Sequence, residues 1–212
     1  VLAGLAIALL FAAWAPLHAA DPPVAEHPSF AVGESWTWRR TQTRPPPGDA
    51  AMPVITRRIV SIAPDGSFRT SNVRGPNHYD ASLNIVAVLG EDYKRILFRF
   101  PLKVGDRWTW TRKVNPEYPD VAETGTFHVV SYESITVPAG TFECFRIRGD
   151  MSLTGRHVGT ITTTDTWYCP SIRQVGKLVM TVNETRTPGT GPGVYNTDTS
   201  ELLSTTVIGP AK

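Results

Sequence analysis

Val32-Gly33-Glu34-Ser35-Trp36-Thr37-Trp38-Arg39-Arg40 returns further along the chain, without a gap, as Val104-Gly105-Asp106-Arg107-Trp108-Thr109-Trp110-Thr111-Arg112. In both copies a Val-Gly-acid opening leads into a stretch of period two. Successive side chains of a strand point to opposite faces, so the two indoles of each copy share one face and the threonine between them takes the other. A second pair of motifs recurs in the same order and at nearly the same offset, Pro64-Asp65-Gly66-Ser67-Phe68 and Pro138-Ala139-Gly140-Thr141-Phe142. Two motifs in register point to a duplicated unit of about seventy residues, too long for a solenoid repeat and of a size for half of a β-domain. The halves implied are 30–103 and 104–208, within a single β-domain at 30–212, and a duplication predicts pseudo-twofold symmetry.

Outward from these motifs the same period dominates. Segments 35–39, 55–62, 93–100, 106–114, 126–137, 142–151, 160–168, 177–185 and 200–208 are rich in β-branched and aromatic residues, with short turn clusters of Pro, Gly and Asp between them. Helical spacing is confined to 81–90, enough for one or two turns. The expected fold class is all-β: an antiparallel curved sheet or half-open barrel.

Residues 1–20 contain no Asp, Glu, Lys or Arg, and a nearly unbroken apolar run over 2–14 ends near Ala19 and Ala20, which reads as a signal peptide and its cleavage zone. The run is short for a bilayer span and Pro16, His18, Pro22 and Pro23 follow it, so no transmembrane anchor is expected after processing. No Cys lies near the cleavage zone to carry a lipid. Residues 21–29 are Pro-rich and polar and read as a flexible leader. The expected location is therefore periplasmic or secreted, and the only two cysteines of the 212 residues, Cys144 and Cys169, suit an oxidising compartment. Opposed residues of an antiparallel pair sum to a constant. A Cys144–Cys169 bridge thus needs a hairpin centred between Arg156 and His157, inside the loop-like stretch 152–159. Closing that loop is worth about 3.5 kcal/mol on the chain-entropy estimate.

The 21 basic and 19 acidic residues all follow residue 20 and leave a net charge of +2, scattered rather than striped, so no nucleic-acid partner is expected. Arg39-Arg40 and Arg57-Arg58, the two arginine pairs, read as solvated strand edges. His27, His78, His128 and His157 are isolated, without metal-ligand spacing, and no cofactor motif is present. No Gly-x-Ser-x-Gly elbow occurs. An unrecognised hydrolase site would have to draw on Glu133, Glu143, Asp165 or His128, which neighbouring strands could bring together.

The candidate binding residues are aromatic. Trp36, Trp38, Trp108 and Trp110 could converge if the halves pack face to face, forming either a pocket for an acyl chain, a stacking platform for sugars, or the bulk of a core. Trp167 and Tyr168 take opposite faces of their strand, so one belongs to the core and the other to a rim or second cavity. Trp167 is counted with the ligand candidates.

Phe100-Pro101-Leu102-Lys103-Val104-Gly105-Asp106-Arg107-Trp108, then Val137-Pro138-Ala139-Gly140-Thr141-Phe142, then Asp165-Thr166-Trp167-Tyr168-Cys169-Pro170 with Val175-Gly176-Lys177-Leu178, resembles a group of exported bacterial β-proteins of uncharacterised function. The resemblance covers about 100–180 and its motifs are structural, so it carries over no catalytic residue. That group is similar in general architecture to periplasmic lipoprotein carriers, which hold acyl chains in an incompletely closed β-barrel. The sequence lacks the clear lid helices of those carriers.

The function expected is that of an exported, non-catalytic binding protein holding a lipid or other apolar ligand on the concave face of a sheet. A structural module that offers a strand edge or aromatic patch to an envelope protein is the alternative from another class, and a hydrolase is the third.

Overall fold

The structure is a computed structural model that describes residues 23–43, 53–71, 75–88, 91–92, 95–115, 118–155, 158–185 and 196–209. The expected signal peptide lies outside the described residues. Within them the strands are β1 (Val24–Ala25), β2 (Ser35–Gln42), β3 (Val54–Ile62), β4 (Phe68–Ser71), β5 (Asn77–Tyr79), β6 (Ile85–Val88), β7 (Glu91–Asp92), β8 (Leu102–Lys103), β9 (Arg107–Asn115), β10 (Tyr118–Val137), β11 (Gly140–Gly155), β12 (Val158–Cys169), β13 (Gln174–Thr185) and β14 (Asn196–Thr206). A 3₁₀ turn at Pro170–Ile172 joins β12 to β13. No helix among the described residues is long and apolar enough to cross a membrane.

Twelve strands form one antiparallel sheet in the order β7-β6-β5-β4-β3-β2-β14-β13-β12-β11-β10-β9. It consists of two meanders, β2 to β7 and β9 to β14, which meet where β14 pairs with β2 from Asp198 opposite Gln42 to Thr206 opposite Ser35. The far edges, β7 and β9, do not pair, so the sheet is not closed into a barrel. It is nonetheless curled: side chains of β3 and of β10 line one cavity although five strands lie between them. The fold class read from the sequence is the one observed.

The two copies of the opening motif have the same backbone geometry. Gly33 and Gly105 take φ of 96° and 98°, a region open to glycine and strained for other residues. Gly33 donates to the Ile59 carbonyl (2.9 Å) and Gly105 to the Val129 carbonyl (2.8 Å), while Ile59 and Val129 donate back to Glu34 and Asp106 (2.8 and 2.9 Å). Ile59 and Val129 are both fully buried and each immediately precedes a bulge in its strand. Beyond the motif the copies diverge. Trp108 stands opposite Phe127 and Trp110 opposite Gly125, whereas Trp36 stands opposite Arg57 and Trp38 opposite Ile55.

Glycines let the aromatic rings of the second half lie flat on the next strand. A Cβ on Gly125 would sit 2.6 Å from Trp110 Nε1, and one on Gly149 only 2.4 Å from Phe127 Cε1. Phe127 in turn stacks on Trp108, with ring centroids 5.5 Å apart. Bare backbone under a ring is where a sheet can bend tightly and remain packed.

A buried ion pair fastens the opening of β2 to the second half. Glu34 is 0% exposed; its Oε1 accepts from Arg173 Nη2 and from the Ile208 backbone N–H at 3.0 Å. Arg173 also donates to the carbonyls of Ser29 (2.9 Å) and Ile208 (3.0 Å).

Three expectations are corrected. The leader is tied to the domain over its described part: β1 pairs with β8, Ala25 is buried, and His27 Nε2 bonds Ser82 Oγ at 2.9 Å. Segment 81–88 is a turn followed by β6 rather than helix, because Asp80 Oδ1 accepts from the backbone N–H of both Ser82 and Asn84 (2.8 Å each) and Leu83 takes φ of 65°. Of the strand expected at 93–100, residues 95–100 are irregular: the N–H groups of Leu97 and Phe98 go to Asn84 Oδ1 (2.8 Å each) instead of to a strand. The segment crosses the sheet's inner face and ends with Phe100 edge-on to Tyr168, 5.1 Å between centroids.

Cys144 and Cys169 form a disulfide across the β11–β12 hairpin. The ladder from Phe145 opposite Tyr168 to Gly155 opposite Val158 keeps the sum that such a bridge requires. Strand pairing there reaches Gly155 and Val158, further than the loop-like composition of 152–159 suggested; residues 156–157 lie outside the described set.

Two sets of substitutions test this packing. Gly149→Ala is expected to lower stability in urea unfolding by about 1–3 kcal/mol, the usual cost of overpacking, and Phe127→Leu on that background to return part of the loss. Arg173→Met, which strands Glu34 without a counter-charge, is expected to cost about 3–5 kcal/mol, and the double variant Glu34→Leu/Arg173→Met to recover most of it; equal losses in single and double variants would show that the pair is not what matters.

Candidate functional site

The curl of the sheet leaves a cavity of about 240 Å³ on the inner face. The second half supplies its apolar floor, with Ile147 and Met151 from β11 and Leu178 and Met180 from β13. Trp38, Ile55 and Tyr79 make the facing wall, and Leu97 and Phe98 of the crossing segment close one side. The polar contribution is small: Arg57, Arg95, Gln174 and the hydroxyls of Thr164, Thr166 and Ser200. Among the described residues the lining holds no carboxylate, imidazole or thiol.

The five tryptophans singled out from sequence go to different places. Trp38 lines the cavity, and its Nε1 is occupied by the Val175 carbonyl at 2.8 Å, so what it presents is the ring. Trp36 is 1% exposed, donates to the Ile172 carbonyl at 3.0 Å and meets Phe30 edge-on. Trp108 donates to the Ile96 carbonyl at 3.2 Å. Trp110 is buried, and its Nε1 has no hydrogen-bond partner among the described residues. None of these three lines the cavity. Tyr168 takes the core side of its strand, at 1% exposed, and burial pushes its phenol well above the ordinary value.

Trp167 faces the other way, into a row that crosses the outer face through the directly opposed residues Ser131, Arg146, Trp167, Lys177, Glu201 and Arg39. Arg146 and Lys177 lie over its ring at 5.3 and 5.8 Å, its Nε1 donates to Glu133 Oε1 at 2.8 Å, and Glu201 pairs with both Lys177 and Arg39 at 3.3 Å. Such a row stabilises strand pairing through cation–π and charge contacts between neighbours.

The hydrolase candidates do not gather at the cavity. Hydrogen bonds from Ser131 and then Trp167 hold Glu133 below its ordinary value of 4.5. Burial pushes Asp165 upward, but hydrogen bonds from Arg146 Nε (3.0 Å) and Arg148 Nη2 (2.9 Å) outweigh it and leave the carboxyl below 3.8. Glu143 is exposed near the β10–β11 turn, and His128 stands opposite Arg107 and Arg148 in the ladder. Among the described residues no three His, Cys, Asp or Glu side chains are grouped as a metal site would need.

Sequence reasoning passed over Arg57 and Tyr79. Arg57 belongs to a basic pair that reads as a solvated edge; Arg58 is exposed, but Arg57 turns inward with its Cζ 5.5 Å from the Trp38 ring centroid and 6.0 Å from that of Tyr79. Its place opposite Trp36 carries that information, but only once the register of β2 with β3 is known.

No family model matches the chain, and no curated protein matches it. Three solved structures are similar. The hypothetical lipoprotein YmcC from Escherichia coli aligns at TM-score 0.44 and 13% identity over 82% of this chain and 88% of that one. A candidate lipoprotein from Parabacteroides distasonis aligns at 0.43 and 11%, over 84% and 97%. A candidate exported protein with YmcC-like fold from Bacteroides fragilis aligns at 0.40 and 12%, over 86% and 99%. Similarity at this level assigns no function.

The outer row predicts an acid-sensitive stability. Glu133 and Asp165 titrate lower in the folded than in the unfolded chain, so on acidification the unfolded chain takes up their protons first. Their contribution is present above the ordinary values of 4.5 and 3.8 and is lost as pH falls through the folded ones. Asp165→Asn should therefore cost about 0.5–1 kcal/mol at pH near 6, and its urea midpoint should fall less than that of the unaltered protein between about pH 6 and pH 3. Parallel pH profiles would remove Asp165 from the account.

Proposed function

We propose that this chain is an exported binding protein that shelters an apolar ligand, a lipid or an acyl chain, in the cavity on the inner face of its curled sheet. The observation that carries the reading is the lining itself. Aliphatic, thioether and aromatic side chains from both meanders converge on one half-enclosed space with few polar groups, which is the usual composition of a small-molecule site. Met151 and Met180 add flexible, polarisable surface that adapts to chains of different shape. Export is supported by the uncharged, apolar residues 1–20 and by the Cys144–Cys169 bridge, a type of bond that persists in oxidising compartments.

Native mass spectrometry of protein purified from cells should show a lipid-sized adduct, and delipidated protein should bind an apolar, environment-sensitive dye. Met180→Trp, which fills the cavity from its floor, should weaken dye binding by about tenfold or more, a loss of about 1.4 kcal/mol, while leaving the fold cooperative in thermal unfolding. If no adduct survives and no dye binds, the reading fails.

A further inference from the structure

Arg57 is the residue that a simple core would not contain. The two meanders start alike, and the position that β10 fills with Phe127, two residues before the buried Val129, is filled in β3 by Arg57, two residues before the buried Ile59. Phe127 completes a stack on Trp108. Arg57 instead lays a guanidinium beside the Trp38 and Tyr79 rings.

That charge has no counter-ion in the protein among the described residues. The other arginine of the lining, Arg95, is held by Glu123, with Nε 3.0 Å from Oε2 and Nη2 on Oε1. Arg57 has no such carboxylate, and its Nε is buried without an acceptor. The hydroxyl of Tyr79, on the same wall, is likewise buried without a partner. A buried donor left unmade costs free energy that any properly placed acceptor would recover. Arg57 Cζ lies 6.0 Å from the Tyr79 ring centroid, so fork and phenol share one wall, and the planar cationic fork is the group with which an oxygen anion in the cavity would pair. The cavity, at about 240 Å³, is just under the common range for ligand pockets, so it accommodates one slender chain rather than a multiply acylated anchor.

We infer that the cavity takes a single-chain amphiphile with an anionic oxygen head, held at Arg57 on the wall it shares with Tyr79 while its chain lies among Ile147, Met151, Leu178 and Met180. The inference rests on the apolar-ligand reading above and adds the chemistry of the head. A carboxylate and a phosphate monoester share that chemistry.

Competition against the bound dye, using delipidated full chain, separates the cases. Dodecanoic acid and dodecyl phosphate test the two heads, and dodecanol supplies the same chain without charge. At least one anion should displace the dye at concentrations about tenfold or more below the alcohol; preference for the acid names a carboxylate head, and preference for the phosphate names a phosphate head. Arg57→Met should lower anion affinity by about tenfold to a hundredfold, the range for hydrogen bonds to a charged group, and leave the alcohol unchanged. Arg57→Lys should keep part of the preference. Equal binding of acid, phosphate and alcohol by the unaltered protein overturns the inference while the apolar-ligand reading stands, and that comparison holds even if Arg57→Met does not fold. Failure of all three compounds and of the dye overturns the apolar-ligand reading itself.

Discussion

Two six-strand meanders share one sheet through a single seam, the pairing of β14 with β2, and the seam is backed by polar contacts buried beneath it. Both indoles of the first half spend their N–H on carbonyls of the second, Trp36 on Ile172 and Trp38 on Val175. Beside them Glu34 and Arg173 form an ion pair with side chains 0% and 7% exposed, and Arg173 gathers the carbonyls of Ser29 and Ile208. Charges removed from water this completely are costly to separate, although Glu34 Oε2 and Arg173 Nε are themselves without partners among the described residues. The four chain segments involved therefore have little freedom to shift independently, and the leader, the start of β2, the β12–β13 link and the C-terminal tail converge at one point.

The shared opening motif makes the difference between the halves informative. The acid of the second copy, Asp106, is short and serves its own turn, accepting from the Lys103 N–H at 2.8 Å. The acid of the first copy, Glu34, is one methylene longer and reaches across to Arg173. Likewise the second half closes over its indoles with Phe127 and Gly125, making a dry stack, while the first places Arg57 and Ile55 at the corresponding positions. One half is thus built for packing, and the other supplies the seam and the charged wall of the cavity.

Strands were legible wherever period two was sustained by side chains committed to both faces, as in β2 and β9 to β13. The cysteine pair was legible too, because antiparallel register is arithmetic. Where the reading failed, the deciding contact was remote in sequence. Segment 95–100 alternates like a strand, yet Asn84 takes its amides. Segment 81–88 has the spacing of a short helix, yet the Asp80 carboxylate caps a turn there. The short strands β4 to β6 carry too few residues for any period to register. Of the five candidate tryptophans, all strand residues as expected, Trp38 is the one at the cavity; which indole is packed and which is left facing open space depends on the curl of the whole sheet, and no local pattern encodes that.

The curl itself follows from strand number. About eight strands close into a barrel whose interior side chains can just fill it, and wider barrels leave a lumen. Twelve strands closed on themselves would enclose more space than this chain can fill. Leaving β7 and β9 apart lets the sheet fold down on its own inner face, with aromatic rings lying over Gly125 and Gly149 to permit the bend. The remaining volume is then occupied from the ends, by Phe30 and Phe68 on one side (4.7 Å between centroids) and by Phe98 and Phe100 against Tyr168 on the other. What stays unfilled lies between these plugs, where Trp38 and Arg57 of the first half face the methionines of the second. The β9 edge left by this arrangement is protected rather than sealed: its exposed face carries Arg107 and Lys113 at either end of Thr109 and Thr111, and charges on an edge discourage pairing with another chain. A sheet too wide to close and too narrow to leave a channel thus holds a pocket at its centre, and the one charge in that pocket without a protein partner among the described residues belongs to the half that did not complete its aromatic stack.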